Sequence, residues 1–253
     1  MNIQLSDHFS YGKLVRFTLP SIAMMIFTSI YGIVDGIFVS NFVGKTAFAA
    51  VNLIMPFLMI FGSLGFMIGT GGCALISKTM GEGKQDKANE LFTMLIALSA
   101  AFGFLLTLTG TAVLRPVSIA LGAEGQMVAD CVVYGRILLS TLVFFILQNE
   151  FQSFCVAAER PRLGLWITVA AGLTNIALDA LFVAVLGWGL VGAASATAIS
   201  QLVGGMVPLV YFALPNASCL HLRKFRFDGR ALLRSCANGS SELVSNLTSP
   251  CRL

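Results

Sequence analysis

The stretch GLTNIALDALFVAVLG, residues 172–187, reads as a helix made for lipid with one acid inside it, Asp179. A charged carboxylate in hydrocarbon costs a few kcal/mol even on insertion scales, so such an acid faces a protein interior or a water-filled cavity and is functional by default. The same pattern recurs in IYGIVDGIFVS, residues 30–40, where Asp35 interrupts an apolar run. The two acids even share their local context, DGIFV and DALFV.

Composition makes lipid the solvent. Of 253 residues, 57% are hydrophobic and only 11% charged, against roughly a quarter charged in a soluble domain. Charge-free gaps run from Arg16 to Asp35, Lys45 to Lys78, Glu90 to Arg115 and Asp179 to Arg223. Each gap spans one bilayer at ~20 residues per helix, or two where a turn divides it, as the Gly-rich GWGLVG (187–192) does. These gaps predict an all-α, polytopic bundle of six membrane spans, near 14–40, 47–77, 89–114, 127–155, 162–186 and 190–213. The fourth is the least regular, because Asp130, Arg136 and Glu150 fall within it.

Orientation follows from Lys and Arg. With the N-terminus cytoplasmic, twelve basic residues lie inside (Lys13, Arg16, Lys78, Lys84, Lys87, Arg160, Arg162, Arg223, Lys224, Arg226, Arg230 and Arg234). Only two, Lys45 and Arg115, lie in outside loops. That is a strong positive-inside bias. The net charge of +4 therefore reports topology, and no nucleic-acid partner is implied. No cleavable signal peptide is expected, because GKLVRFTLPSIAMM runs directly into a full-length span.

Several chemistries lack their motifs. GEGKQ (81–85) has neither the spacing nor the Ser/Thr of a phosphate-binding loop, which disfavours direct ATP-driven pumping. Neither G-x-S-x-G nor H-E-x-x-H occurs, so nothing argues for a hydrolase, and no enzyme activity is expected. The six cysteines form no C-x-x-C pair and read as small apolar fillers; His8 and His221 are too far apart in sequence to suggest a metal site. The sequons at Asn216, Asn238 and Asn246 are discounted, the first because it falls on the cytoplasmic side. GTGGC (69–73) suits helix packing better than phosphate binding, and GIVDG (32–36) and GFMIG (65–69) fit the G-x-x-x-G spacing that lets helices approach. Pro20, Pro56 and Pro208 lie inside spans and mark either fixed kinks or hinges.

Depth along the spans groups the polar residues. At ~1.5 Å per residue, Asp35 lies ~30 Å along span 1 and Asp179 ~25 Å along span 5, both in the outer half. Asn175 precedes Asp179 by one turn on the same face. Thr197 lies ~10 Å below the outer surface in span 6, with Tyr134 at similar depth in span 4. A carboxyl group taken out of water favours its protonated form, the more so beside a second one. The acid pair can therefore trade a proton; equally, Asp35, Asn175, Asp179 and Thr197 offer the oxygens a hard cation such as Na⁺ takes. Packing acids capped by neighbouring donors are the structural alternative. In LQNEFQS (147–153), Gln148, Asn149, Glu150 and Gln152 either line a solute path or mark a helix emerging into water, and the interfacial reading is preferred.

Four stretches together resemble the multidrug and toxic compound extrusion (MATE) family, in its MepA-like bacterial branch. They are LPSIAMMIFTSIYGIVDGIFVS (19–40), GTGGCALISKTMGEGKQDKANE (69–90), AAERPRLGLWITVAAGLTNIALDALFV (157–183) and GLVGAASATAISQ (189–201). The resemblance runs from about residue 10 to about 248. It implies a cation-coupled drug antiporter of a bacterial cytoplasmic (inner) membrane, with twelve helices in two lobes around a central cavity. It also implies coupling of H⁺ or Na⁺ at Asp35, Asn175, Asp179, Thr197 and Tyr134, a bend at Pro20, no cofactor, and amphipathic organic cations as cargo. Residues 1–215 then form the N-terminal lobe. Residues 216–253 form a cytoplasmic linker and the start of a seventh helix, ALLRSCANGSSELVSNLT, before SPCRL leaves the pattern. The expectation is a truncated reading frame, its partner the missing C-terminal lobe or a second copy. A lipid-linked oligosaccharide flippase is the rival within the superfamily, with span-embedded Arg136 as its one basic candidate. A non-transporting membrane fragment is the other.

Overall fold

The computed structural model describes residues 11–216 and 218–248, with side chains over 18–216 and 218–241. His8, Cys251 and SPCRL lie outside the described residues. Eight α-helices follow in order: α1 Tyr11–Phe38, α2 Lys45–Gly81, α3 Gln85–Ala120, α4 Gln126–Ser140, α5 Leu142–Ala157, α6 Pro161–Asp179, α7 Gly189–Ala213 and α8 Gly229–Thr248. Five of them, counting α1 and α6 with the π-helical turns that extend them, are long and apolar enough to cross a membrane, and α4 with α5 makes a sixth.

Burial is turned inside out, as a lipid solvent demands. Leu19, Ile22, Ile26, Ile30 and Ile33 of α1 and Phe104, Leu105 and Leu108 of α3 are all exposed. The interior holds buried Asn149, Glu150, Asn175, Asp179 and Gln201 among its aliphatic and aromatic residues. Towards the end bearing most Lys and Arg (the basic end), Phe92 packs edge-on to Phe154 and Phe212, with ring centroids 5.2 and 5.0 Å apart. Towards the opposite end, Ile54, Leu114, Tyr134 and Leu139 form a second cluster.

The fourth predicted span is not straight. It breaks at Thr141 into α4 and α5, bent by 59°. The break is held by a hydrogen bond, since Thr141 Oγ1 donates to Gln201 Oε1 on α7 at 2.8 Å. This bend corrects the interfacial reading of LQNEFQS: Gln148, Asn149 and Glu150 are all buried, Asn149 donating to the Gly62 carbonyl of α2 at 3.3 Å. Bending turns the polar segment into the bundle, a tertiary effect invisible to local pattern.

Glycines set the helix spacing. Gly65 and Gly69 lie against the α5 backbone, where a Cβ on Gly69 would come within 2.9 Å of Glu150 Cα. Gly71 abuts the Ser235 carbonyl and Gly239 abuts that of Met67, so α8 runs antiparallel along the basic half of α2. The GIVDG motif does not behave this way: a Cβ added to Gly32 or Gly36 would have nothing within 4 Å of it. The GWGLVG turn is as expected, with Gly187 and Gly189 at φ +64° and +55°, values that only glycine adopts freely.

Candidate functional site

Asp35 and Asp179 each sit within one turn of a helix end that widens into a π-helical turn, Val39–Val43 after α1 and Ala180–Val185 after α6. Such turns are rare and concentrate at functional sites. The two π turns touch each other, so the shared DGIFV and DALFV patterns produce paired local structures. Gly172 fixes the register of the two helices. It leaves room for the rings of Phe27 and Tyr31 from α1, 2.5 and 3.0 Å from where its Cβ would stand. With α1 seated there, Asp35 follows Tyr31 by one turn of α1 and Asp179 follows Gly172 by two turns of α6.

The carboxyl groups of Asp35 and Asp179 consequently lie against one another. Tyr134, fully buried on α4, brings its hydroxyl near Thr197 and within electrostatic range of both acids. Asn175 Nδ2 reaches Thr197 Oγ1 on α7 at 3.4 Å. All five residues grouped by depth in the sequence thus meet, drawn from α1, α4, α6 and α7. Asp35, Asn175 and Thr197 line a cavity of roughly 230 Å³ together with Thr28, Tyr31 and Gln148. Five buried oxygens in this cluster have no hydrogen-bond partner: Asp35 Oδ1, Tyr134 Oη, Asn175 Oδ1 and both oxygens of Asp179. Native interiors leave few such groups. An oxygen-only set of this kind suits a proton shared between carboxyls or a hard cation. The cavity falls below the roughly 300–1,000 Å³ of sites for drug-sized molecules, so it is scaled to an ion and water.

Other predicted residues fall elsewhere. Gln152 lines a separate small gap, Asn149 is spent on Gly62, and Arg136 is exposed and lines no part of the cavity. Pro20 lies within α1, fifteen residues before Asp35. Sequence reasoning missed Tyr31 and Gln201. Tyr31 stands one turn before Asp35, and Gln201 is an amide inside a charge-free span; both were legible as polar groups on the acids' helices or the neighbouring one. A larger hollow of roughly 600 Å³ lies where the chain leaves α7, at Pro215, Asn216 and His221. It is an open surface feature, and the His221 ring is spent on the Asn216 carbonyl at 3.2 Å.

Known proteins share this architecture. Over 250 residues the chain is 26% identical to the multidrug export protein MepA of Staphylococcus aureus (strain MRSA252), covering 94% of this chain and 55% of that one. MepA of Staphylococcus haemolyticus (strain JCSC1435) is 25% identical over 206 residues, 81% of this chain and 46% of that one. The chain thus spans about half the length of the curated relatives it matches. A multidrug-resistance MATE family transporter of the MOP superfamily, solved in an outward-facing conformation, superposes with a TM-score of 0.87 at 25% identity, covering 92% of this chain and 52% of that one. A MOP superfamily transporter from Pyrococcus furiosus, described as having a binding pocket of reverse polarity that suggests a different function, superposes at 0.86 and 25% identity over the same shares. The MatE family profile matches residues 20–181, more than half of the chain and the whole stretch from Pro20 to just past Asp179. On that match, with the fold and the acid pair it encloses, this chain belongs to the MatE family.

Proposed function

We propose that this chain is the ion-binding lobe of a multidrug exporter, which drives amphipathic organic cations out of the cell against inward movement of H⁺ or Na⁺. The observation that carries the reading is the cluster of five unpartnered buried oxygens on Asp35, Tyr134, Asn175 and Asp179. Asp35 and Asp179 take up the coupling ion, while Asn175, Thr197 and Tyr134 complete its oxygen shell. Because these groups come from four helices, binding an ion ties α1, α4, α6 and α7 together, and releasing it frees them. That is the differential contact a two-state transporter needs. Pro20, which costs α1 a backbone hydrogen bond, supplies the point at which α1 bends. The exposed apolar face of α1 is the surface on which a second lobe packs, from the same polypeptide or from a second copy. The basic end faces the cytoplasm, in accord with the excess of Lys and Arg there.

The test is efflux of a fluorescent lipophilic cation from proteoliposomes carrying the chain, under imposed H⁺ or Na⁺ gradients. Asp35→Asn and Asp179→Asn abolish gradient-driven efflux at unchanged reconstitution. Parental rates in both variants would remove the acid pair from the mechanism. A non-transporting fragment gives no efflux with either gradient. The flippase reading is not adopted, because the cavity lining contains Asp35 and no Lys or Arg.

A further inference from the structure

Gln148 borders two spaces. On one side it lines the cavity of roughly 230 Å³ that holds Asp35. On the other it lines a gap of roughly 10 Å³ between α5, α6 and α7, together with Gln152, Cys155, Gly164 and Thr168. A gap that size holds about one water molecule. It leads towards the basic end: Cys155 is two residues from the end of α5 at Ala157, and Gly164 lies in the first turn of α6 after Pro161.

The side chain between the two spaces is held loosely in polar terms and tightly in steric ones. Gln148 Oε1 is buried without a hydrogen-bond partner. Gly204 on α7 makes the room it occupies, since a Cβ there would stand 2.5 Å from Gln148 Cδ and 2.6 Å from Oε1. A purely structural amide in an apolar seam would have both ends bonded. At the far end, Met24 Sδ lies 3.1 Å from a Cβ placed on Gly164, and that Cβ would stand equally close to Cys155. Met24 stands one turn beyond Pro20 on the helix that carries Asp35. The gap thus has an amide at one end and, at the other, Gly164, against which Met24 of α1 packs.

We propose that Gln148 is the plug of an ion path inside this lobe, running from the cavity lined by Asp35 and Asn175 along the α5–α6–α7 seam to the basic end. The inference rests on the assignment of that cavity to the coupling ion. From Gln148 to Cys155 is ~10 Å along α5, a file of a few water molecules. When the amide swings aside, its free oxygen bonds to the entering water. A hydrated proton or Na⁺ then passes Gln152 and Thr168 and leaves where Met24 withdraws. Ion release thereby takes a route separate from the larger cargo, which cannot enter a gap of this width.

Cys155 is a built-in reporter, because it lines the gap and is fully buried. In the full chain with its other five cysteines replaced by Ala or Ser, a small cationic methanethiosulfonate (aminoethyl) is added in right-side-out vesicles, with free cysteine inside to trap reagent that crosses the lipid. The Cys155 thiolate attacks the sulfenyl sulfur and expels methanesulfinate, and mass spectrometry reads the mixed disulfide. Gln148→Ala raises the labelling rate on the order of tenfold, the scale on which removal of one packed side chain shifts local opening. Gln148→Met, of similar volume, stays at the parental rate. If Gln148→Ala does not yield a monodisperse protein, Gln148→Asn, one methylene shorter, gives the intermediate rate. Labelling of the truncating variant at the parental rate overturns the proposal, as does labelling of Gln148→Met as fast as Gln148→Ala. The readout needs no transport, so failure of the coupling assignment shows in efflux and leaves this measurement to be judged separately.

Discussion

Two G-x-x-x-G motifs in one chain are expected to respond in opposite directions to the same chemical change. Gly32→Ala places a methyl group where nothing lies within 4 Å, whereas Gly69→Ala places one 2.9 Å from Glu150 Cα, 3.1 Å from its carbonyl oxygen and 3.3 Å from Ser153 Oγ. Ordinary contact begins near 3.4 Å, so α2 and α5 must part by 3.4 minus 2.9, or 0.5 Å, along a seam of backbone that has no flexible end to yield. Both substitutions gain the same helix propensity, about 0.8–1 kcal/mol. That term cancels in their difference, and what remains is the overpacking cost of roughly 1–3 kcal/mol. At about 2–4 °C per kcal/mol for a domain of this size, Gly69→Ala melts roughly 2–12 °C below Gly32→Ala. Fluorescence-detected size-exclusion chromatography after a temperature ramp in detergent measures it. Equal melting points for the two variants would refute the assignment of close packing to GFMIG and open space to GIVDG.

Further expectations are smaller or more local. Thr141→Val and Gln201→Ala each destabilise the α4–α5 bend, and a double-mutant cycle between them gives a coupling of about 0.5–1.5 kcal/mol, where strict additivity would deny the hydrogen bond a role. Arg223→Ala breaks the 2.6 Å ion pair with Asp86, but both groups are exposed, so the melting point falls by no more than about 2–4 °C and less at high salt. Burial, with the negative charge of Glu159 nearby, pushes the Cys219 thiol from its ordinary range up to about 11. With the thiolate as the reactive form, alkylation of Cys219 at pH 8 is roughly a hundredfold slower than that of an unperturbed thiol and climbs about tenfold per pH unit up to pH 10; a plateau by pH 9 would contradict this.

Much of the lobe is readable without coordinates. Charge-free gaps of bilayer length are a one-dimensional property, so they locate five spans to within a few residues, and glycine marks the 187–189 turn. Asp35, Asn175, Asp179, Thr197 and Tyr134 group by depth because a helix converts residue number into depth at a constant rise. Direction around the helix axis is another matter. Depth cannot distinguish a side chain facing the cavity from one facing a neighbour, and so Gln148 and Asn149, adjacent in sequence, go to different places.

The 59° break at Thr141 shows why. At the break Thr141 hydrogen-bonds a residue sixty positions later, and the segment that follows is buried. Glu150 is the extreme case, fully buried with both oxygens unpartnered although its neighbours look interfacial. The two glycine motifs make the same point, since identical spacing gives contact only where another helix happens to lie. The amino-acid order by itself determined that this chain is built of apolar helices of bilayer length and how far along them its acids lie, because hydrophobic length and helical rise are local quantities. Tertiary structure alone decided which polar faces converge, where a span bends and which spaces an amide divides, because each depends on side chains brought together from distant helices.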